Sequence, residues 1–477
     1  MNEERLNIDI LEQYPLPDLV QLECDYQGAL KRFDKKVIVL DDDPTGVQTV
    51  HGISVYTDWS ERTFLDGFQE KNNMFFILTN SRAMTHDTSV AEHRLMAERI
   101  VRASKETARD YVLISRSDST LRGHYPSEPE TLRCTVEKMS DIRFDGEILY
   151  PFFLEGGRYT IDNVHYVREG ETLVPAGQTE FARDKTFGYH ASHLGEWVQE
   201  KSGNAVRPED CIYISLDDLR ALNYEKITAQ LLQAHDAARV IVNSIDYCDV
   251  KAFTVAFIDA VNQGKHFIFR SAAAITKVLG GVPDRPLLTR EELIAPGNVP
   301  GGIVIIGSHV QKTTRQLEAL EASDLPVSFI EFDVSSALTP GGLDNERARV
   351  TAAAENILRS GGTVTVYTSR KLLVPDDGDK EKALSLSVNI SNALTGVVSD
   401  LSVRPAFIVA KGGITSSDVG TKALRVHRAM VMGQIKPGIP VWMTGQESKF
   451  PHMPYVIFPG NVGEITTLRD IVAELMC

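Results

Sequence analysis

Three consecutive aspartates stand where a short apolar run ends, and no other segment of the chain carries as much chemical information. Residues 37–40 read VIVL, a pattern typical of a buried strand. Asp41, Asp42 and Asp43 follow, and the sequence PTG then turns the chain. Adjacent carboxylates repel one another unless a cation, a basic side chain or a polyhydroxyl ligand offsets their charge. The alternative interpretation is a solvated turn in which one aspartate serves as a cap.

Two further apolar runs end in polar and charged residues. Residues 74–78 lead into a segment with Arg82, and residues 111–114 lead into SRSDSTLRGH, which contains Arg116. Arginine binds a carboxylate or phosphate through a two-point fork, so Arg82 and Arg116 suit an acidic substrate. A single arginine is more often part of a surface ion pair. Two of them at matching strand ends, beside an acidic turn, favour a binding site.

The elements needed to position these residues are those of a parallel α/β sheet. The first half shows strand patterns at 37–40, 74–78, 111–114, 147–150, 211–214, 240–243 and 266–269, with helical stretches such as 89–104 and 224–238 between several of them. A parallel sheet brings the carboxyl ends of its strands to one edge, where open α/β folds bind ligands. We therefore expect the acidic and basic residues to share one pocket.

The alternation restarts in the second half, after a stretch rich in proline and glycine. Strands are predicted at 303–306, 328–331, 363–367, 406–409, 441–443 and 455–458, and helices at 311–322, 345–360, 380–394 and 418–432. A chain of 477 residues exceeds what one hydrophobic core usually serves. We predict an N-terminal extension at 1–30, a first domain at 31–279, a linker at 280–302 and a second domain at 303–477. The predicted fold class is α/β, with two domains, each built on a mainly parallel sheet flanked by helices, and the active site in the cleft between them.

Glycine-containing turns follow three predicted strands of the second half. They are Gly307-Ser308, Gly412-Gly413-Ile414-Thr415 and Gly460-Asn461-Val462-Gly463. Glycine lets the backbone approach a phosphate closely, and a helix N-terminus offers free N–H groups. No P-loop is present, and no strand leads into a GxGxxG turn. The pattern suggests one phosphate-binding edge, although a tight turn with a Ser or Asp cap explains residues 412–418 equally well.

Composition restricts the classes of partner. The formal net charge of −15 argues against nucleic acid and anionic membrane surfaces. The five cysteines are widely spaced, so neither a disulfide framework nor a zinc site is indicated. The N-terminus lacks the pattern of a signal peptide, and no apolar run approaches the roughly 18 residues that span a bilayer. We expect a soluble, cytoplasmic protein.

On these motifs the sequence resembles the four-carbon acid sugar kinase family. The resemblance includes the turn after the first strand, SRA at 81–83 and above all SDSTLRGH at 117–124, and it extends from about residue 37 to residue 472. YPF at 150–152, GRYT at 157–160, VHYV at 164–167, LVP at 173–175 and TEFARD at 179–184 follow in the family's order. The three glycine-containing turns resemble the family's nucleotide-binding elements.

The resemblance implies an ATP-dependent kinase, a phosphotransferase with an alcohol group as acceptor. Its substrate would be a small sugar acid such as threonate, erythronate or 3-oxo-tetronate, bound by the first domain, with ATP and Mg²⁺ at the second. The catalytic candidates are Asp42, Asp43 and Asp118, among which the sequence does not choose. The substrate-binding candidates are Arg82, Arg116, Ser117, Ser119 and Arg122. The nucleotide-binding candidates are Ser308, Gly412, Gly413, Ile414, Thr415, Gly460 and Asn461. Metal ligands, the reacting hydroxyl and a homodimeric state are left open.

The sequence departs from the family pattern at several positions, so two other functions are also considered. Ile414 stands where the family's GGDT has a carboxylate, Asp41 and Pro44 alter the first turn, and SRS at 115–117 replaces a lysine pair. The loss at Ile414 favours a non-catalytic sugar-acid-binding or regulatory protein that has lost ATP turnover. A dehydrogenase on a doubly wound fold is a third interpretation, against which the missing GxGxxG argues.

Overall fold

The computed structural model describes residues 3–295, 301–370, 380–460 and 462–476. Within these residues the chain forms two compact units. The first unit contains the described residues up to Val50 together with Asp58–Asp284. The second unit contains His51–Thr57 and the described residues from Arg285 onward. A short segment early in the chain therefore belongs to the second unit.

The first unit combines a large parallel sheet with a small antiparallel one. Up to residue 284 the strands are β1 (Leu6–Asn7), β2 (Lys36–Asp41), β3 (Ile53–Tyr56), β4 (Met74–Leu78), β5 (Tyr111–Arg116), β6 (Gly146–Tyr150), β7 (Arg158–Ile161), β8 (Val164–Glu169), β9 (Thr172–Pro175), β10 (Ile212–Ile214), β11 (Ala238–Val242) and β12 (Phe267–Ser271). Of these, β3 belongs to the second unit, and the other strands form the two sheets of the first unit. The helices are α1 (Leu19–Lys31), α2 (Glu61–Gln69), α3 (His86–Thr107), α4 (Ser127–Met139), α5 (Leu194–Lys201), α6 (Leu216–Arg220), α7 (Tyr224–Leu232), α8 (Tyr247–Asn262) and α9 (Ala273–Leu279). The parallel sheet has the order β10-β11-β6-β12-β5-β2-β4, and the antiparallel sheet has the order β1-β9-β8-β7.

The central strands of the parallel sheet are buried on both faces. Every residue of β2, β4, β5 and β6 is buried, as expected when helices cover both sides of a parallel sheet. Helix α3 packs against α2 and α4, while α8 packs against α1 and α7. The loops at the carboxyl edge of the sheet therefore project from strands that are enclosed on both faces.

The second unit is built on a mixed sheet in which parallel strands predominate. From residue 285 the elements are α10 (Arg290–Leu293), β13 (Ile303–Ile306), α11 (Gln311–Glu321), β14 (Val327–Phe332), α12 (Gly342–Arg359), β15 (Thr363–Thr368), α13 (Lys380–Asp400), β16 (Ile408–Lys411), α14 (Gly413–Asp418), β17 (Arg428–Lys436), β18 (Ile439–Thr444), β19 (Pro454–Phe458) and α15 (Thr467–Met476). The strand order is β3-β17-β18-β19-β16-β13-β15-β14. The five strands from β19 to β14 are parallel, whereas β3, β17 and β18 are antiparallel.

The predicted α/β class, with mainly parallel sheets flanked by helices, is confirmed. The helix predicted at 418–432 is wrong, because the helical structure ends at Ala423 and residues Arg428–Lys436 form β17. Burial in β17 alternates with a period of two, which fits an antiparallel strand whose neighbours are β3 and β18. None of the described helices combines the length and apolar character that crossing a bilayer requires.

Candidate functional site

The carboxyl ends of β5, β2 and β4 lie side by side in the first unit, because β2 pairs with β5 and with β4. Asp41 ends β2, Arg116 ends β5, and Arg82 lies in a short 3-10 turn after β4. The main chain joins these ends, since the Asp42 N–H donates to the Arg116 carbonyl at 3.2 Å and the Thr79 N–H donates to the Asp41 carbonyl at 2.8 Å. The predicted convergence of polar strand ends is present.

Arg82 and Arg116 bind the aspartates of the first turn. Arg82 donates to both oxygens of Asp42, at 3.1 Å from Nε and 2.8 Å from Nη2. Its Nη1 lies 3.4 Å from Asp43 Oδ2. Nη1 of Arg116 lies 3.0 Å from Asp41 Oδ1 and 3.3 Å from Asp42 Oδ1. The two guanidinium groups are therefore engaged with carboxylates of the chain, and their role as substrate ligands stays a prediction.

Asp41 is held beneath the turn that follows it. A Cβ on Gly46 would lie only 2.0 Å from Asp41 Oδ2, so the turn requires glycine for this close approach. Within the described residues Oδ2 is buried and has no hydrogen-bond partner. Burial raises the pKa of Asp41 to about 7, although Arg116 acts in the opposite direction. Asp41 therefore supports Arg116 and is closed to a ligand.

The three catalytic candidates differ in accessibility and in protonation. The Asp42 side chain is only 2% exposed, whereas those of Asp43 and Asp118 are 19% and 13% exposed. Burial raises the pKa of Asp42 above its ordinary value. Burial also acts to raise the pKa of Asp43 and of Asp118, but the charge of Arg82 and further hydrogen bonds outweigh it and hold both below the ordinary value. Asp43 and Asp118 are thus ionised at neutral pH.

The loop after β5 folds around Asp118. Arg122 Nε donates to Asp118 Oδ2 at 2.7 Å, and the Thr120 hydroxyl donates to the same oxygen. Arg122 Nη1 also lies 3.6 Å from Asp184 Oδ2. The spacing of the DSTLR string is therefore explained by contacts among its own side chains.

The same loop requires glycine at its end and is anchored by a buried histidine. Gly123 has a φ of 122°, and a Cβ on it would lie 2.5 Å from Ser117 Oγ. Ser117 Oγ in turn donates to Asp42 Oδ2 at 3.2 Å. The Ser119 carbonyl lies 2.8 Å from His165 Nε2, and burial lowers the pKa of His165 to about 3. His165 is therefore a neutral positioning residue.

Two arginines of this region are not among the site residues predicted from the sequence. Arg270 lies in β12 with 1% exposure, donates from Nη2 to the Arg122 carbonyl at 3.1 Å, and stacks on Trp197 at 5.4 Å from the ring centre. Arg158 begins β7 and lies over the Phe181 ring at 5.6 Å. Neither makes an ion pair with a described carboxylate. Two sequence features could have identified these residues. Arg158 lies in the GRYT segment, and Arg270 directly follows a predicted strand.

In the second unit, three glycine-containing turns meet at the carboxyl ends of adjacent parallel strands, β13, β16 and β19. A Cβ on Gly307 would lie 2.3 Å from Thr415 Oγ1, and one on Gly412 would lie 3.0 Å from Ser308 Cβ. A Cβ on Gly460 would lie 2.9 Å from Ser308 Oγ. Four predicted nucleotide-binding residues, Ser308, Gly412, Thr415 and Gly460, are therefore brought together.

The other three predicted nucleotide-binding residues are Gly413, Ile414 and Asn461. Gly413 is the first residue of α14, after Gly412 with a φ of 121°. Ile414 is 67% exposed, so an aliphatic side chain lies at the surface where the family pattern has a carboxylate. Asn461 lies outside the described residues.

Two basic residues outside the listed nucleotide-binding candidates lie close to these turns. Arg370 follows β15 and donates from Nη2 to the Ser308 carbonyl at 2.7 Å, while its Nη1 is buried without a hydrogen-bond partner in the described part of the chain. Lys411, the last residue of β16, is buried and donates from Nζ to the Pro459 carbonyl at 3.0 Å. Burial lowers the pKa of Lys411 to about 7. Positive charge at this edge suits a phosphate-bearing ligand.

Across residues 3–295, 301–370, 380–460 and 462–476, no group of three or more His, Cys, Asp or Glu side chains is arranged to hold a metal ion.

Both halves of the chain match known family models. Residues 37–279 match the model described as "Sugar-binding N-terminal domain", and residues 303–468 match the one described as "Nucleotide-binding C-terminal domain". No curated protein matches the chain significantly.

Two solved structures share the fold. One is the crystal structure of Haemophilus influenzae protein HI1011, of family model DUF1537, with a TM-score of 0.59 at 16% identity. The match covers 92% of this chain and 100% of that protein's chain. The other is the crystal structure of the putative tRNA synthase from Salmonella typhimurium LT2, with a TM-score of 0.64 at 13% identity. The match covers 92% of this chain and 98% of that protein's chain. At such low identity the likeness establishes the fold alone.

Proposed function

Because the chain belongs to the four-carbon acid sugar kinase family, we propose that it is an ATP-dependent kinase that phosphorylates a hydroxyl of a small sugar acid, such as threonate, erythronate or 3-oxo-tetronate. The observation that carries this proposal is the cluster of Asp42, Asp43 and Asp118 at the carboxyl ends of neighbouring strands in the sugar-binding half. Carboxylates in this position can orient a hydroxyl group and accept its proton.

On the acceptor side, we assign the contact with the reacting hydroxyl to Asp43 and Asp118. Both are more accessible than Asp42, and both carry a full negative charge at neutral pH. A low pKa does not disqualify them, because phosphoryl transfer through a loose transition state places little demand on early proton removal. Asp42, fixed by Arg82 and Arg116, orients the cluster.

Three of the substrate-binding candidates belong to the loop around Asp118. Ser117 and Ser119 flank Asp118, and Arg122 donates to it at 2.7 Å. Hydroxyl and guanidinium donors beside a carboxylate can bind the other hydroxyl groups of a polyol chain. We assign these three residues to substrate binding on that basis.

On the nucleotide side, Ser308, Gly412, Gly413, Thr415 and Gly460 form the proposed phosphate-binding edge. The turns that carry them stand at the ends of adjacent parallel strands, where α/β sheets bind phosphate groups. Arg370 adds a guanidinium group with an unpartnered Nη1 in the described structure, which supports its inclusion. Mg²⁺ would enter bound to the ATP phosphates, as is usual for this ion, and would there neutralise phosphate charge.

A non-catalytic sugar-acid-binding protein is the second candidate, and Ile414 is the observation that favours it. An exposed aliphatic side chain cannot replace a carboxylate that contacts ribose or metal. This alternative predicts that a sugar acid still binds while ATP binds weakly and is not hydrolysed.

The experiment that separates the two is an ADP-release screen with four-carbon aldonates, run beside calorimetric titrations of ATP and of each acid. The kinase proposal predicts ADP release that depends on one or a few acids. Acid binding without any acid-dependent ADP release would establish the alternative.

A further inference from the structure

Two guanidinium groups beside the loop that carries Asp118 lack a counter-charge in the described structure. Arg82, Arg116 and Arg122 each form ion pairs with aspartates, at 2.8, 3.0 and 2.7 Å. Arg158 and Arg270 form none with any carboxylate in the described ranges, and both retain buried N–H groups without a hydrogen-bond partner. A buried cation that is not paired is costly for the folded protein. Such groups indicate that an anion from outside completes the site.

Arg158 is the more accessible of the two. Its guanidinium lies 5.6 Å from the centre of the Phe181 ring, and the guanidinium of Arg122 lies 5.0 Å from the same ring. Arg122 is neutralised by Asp118 and by Asp184, whereas Arg158 is not neutralised by either. Burial and the charge of Arg122 lower the pKa of Arg158, while Asp118 raises it. Arg158 is thus a cation in an unfavourable setting that a bound carboxylate would relieve.

Arg270 adds a second uncompensated charge to the same region. It is buried, and its Nε and Nη1 have no hydrogen-bond partner in the part of the chain that the structure describes. Its Nη2 donates to the Arg122 carbonyl, so it also holds the loop that carries Asp118. Among carboxylates, Asp118 has the strongest electrostatic effect on both Arg158 and Arg270. Both guanidinium groups therefore lie within electrostatic range of the proposed catalytic loop.

We propose that Arg158 binds the carboxylate of the sugar acid, and that Arg270 is a positioning residue that holds the loop and adds positive potential. The identity of the ligand rests on the proposed function. The acid end of the substrate is then recognised by Arg158 and a hydroxyl by Asp118. Arg82 and Arg116 are less suited to this role, because their charges are already balanced by Asp41, Asp42 and Asp43.

The test is a binding experiment with matched charged and neutral ligands. Calorimetry without nucleotide would compare four-carbon aldonates with the tetritols of the same stereochemistry, for wild type and Arg158→Gln. We expect wild type to prefer the aldonate. The substitution should weaken aldonate binding roughly 10- to 150-fold, the factor for one hydrogen bond to a charged group, and leave the tetritol unaffected. Arg158→Lys keeps the positive charge but loses the two-point fork of the guanidinium. Its affinity for the aldonate should lie between those of wild type and Arg158→Gln.

Arg168→Gln is the matched control. Arg168 lies on the neighbouring strand β8 of the same small sheet, is exposed, and pairs with Glu171 at 3.6 Å. Its substitution should leave the preference for the aldonate unchanged. In turnover assays, Arg158→Gln should raise the KM for the acid and leave the KM for ATP near that of wild type.

Thermal unfolding without ligand separates binding from a structural role. Removal of an uncompensated cation should leave the melting temperature of Arg158→Gln equal to or above that of wild type, whereas Arg122→Gln breaks an ion pair and should lower it. The inference would be overturned if Arg158→Gln melted as low as Arg122→Gln or kept the full preference for the aldonate.

The remaining outcomes distinguish this inference from the proposed function. Arg158-dependent aldonate binding by a wild-type protein that never releases ADP would refute the kinase and leave the carboxylate site standing. If Arg158→Gln turned over the acid with an unchanged KM, the kinase proposal would stand and the carboxylate site would be refuted. A wild type that binds no aldonate better than its tetritol would refute the carboxylate site.

Discussion

At the scale of residues, the candidate site is an arrangement of charges in which each aspartate has a different environment. Asp41 is sealed beneath Gly46, Asp42 is held by two arginines, and Asp43 and Asp118 remain accessible and ionised. The sequence placed these carboxylates at strand ends but did not rank them, because the ranking depends on burial and on which arginine reaches which oxygen.

Asp118→Asn should reduce kcat by about 100- to 10,000-fold, the usual contribution of a group that orients and deprotonates an acceptor. The fold should persist, because Arg122 keeps Asp184 as a partner at 3.6 Å. Steady-state kinetics with the best acid and a thermal melt of each variant would check this. Asp87→Asn, a fully exposed helix residue, is the control. Full activity in both Asp118→Asn and Asp43→Asn would remove this cluster from catalysis.

Asp41 predicts a pH dependence of stability. Its pKa is raised to about 7 in the folded protein, so the folded state binds a proton more readily than the unfolded state. This contribution to stability is complete below pH 4 and is lost as the pH rises toward 7. Asp41→Asn cannot ionise. The melting temperature of this variant relative to that of wild type should therefore rise between about pH 4 and pH 7, and the difference should stay constant at higher pH. A constant difference between the two melting curves across this range would contradict the assignment.

At the scale of elements, the proposed function depends on turns at the carboxyl ends of parallel strands. Gly413 begins α14 with Gly412 as its cap, and it is not among the glycines with positive φ. A side chain at Gly413 therefore tests the space for a ligand without imposing backbone strain.

Gly413→Val should weaken ATP binding strongly and leave acid binding near its wild-type value. Calorimetric titration of each ligand in Mg²⁺ buffer would measure both. Gly28→Val is the matched control, because Gly28 is a helical glycine of the first unit whose nearest contact for a Cβ is 3.7 Å away. Unchanged ATP affinity would remove this turn from the nucleotide site.

The sequence predicted the parallel strands well because each is a short apolar run that ends in polar residues, as in β2, β4 and β13. It did not predict β17, whose apolar residues also fit a helical spacing until pairing with β3 and β18 selects a strand. The small sheet was missed as well, although the family motifs within it were recognised. Arg158 could not be singled out from the sequence, because its importance depends on the absence of an ion pair in the folded structure.

At the scale of the whole molecule, the two proposed binding functions belong to different units. The first carries the carboxylates and arginines proposed to bind a sugar acid, and the second carries the glycine turns and cations proposed to bind ATP. The matches to a sugar-binding and a nucleotide-binding domain follow the same division. The position of the active site between the two domains stays a prediction.

Phosphorus NMR of wild-type protein incubated with ATP, Mg²⁺ and the acid that releases most ADP would show whether a phosphoryl group is transferred to the acid. We predict a new phosphomonoester resonance that grows in proportion to ADP and is absent with Asp118→Asn. Growth of inorganic phosphate alone, or no loss of ATP with any four-carbon acid, would contradict the assignment of this chain as a sugar-acid kinase.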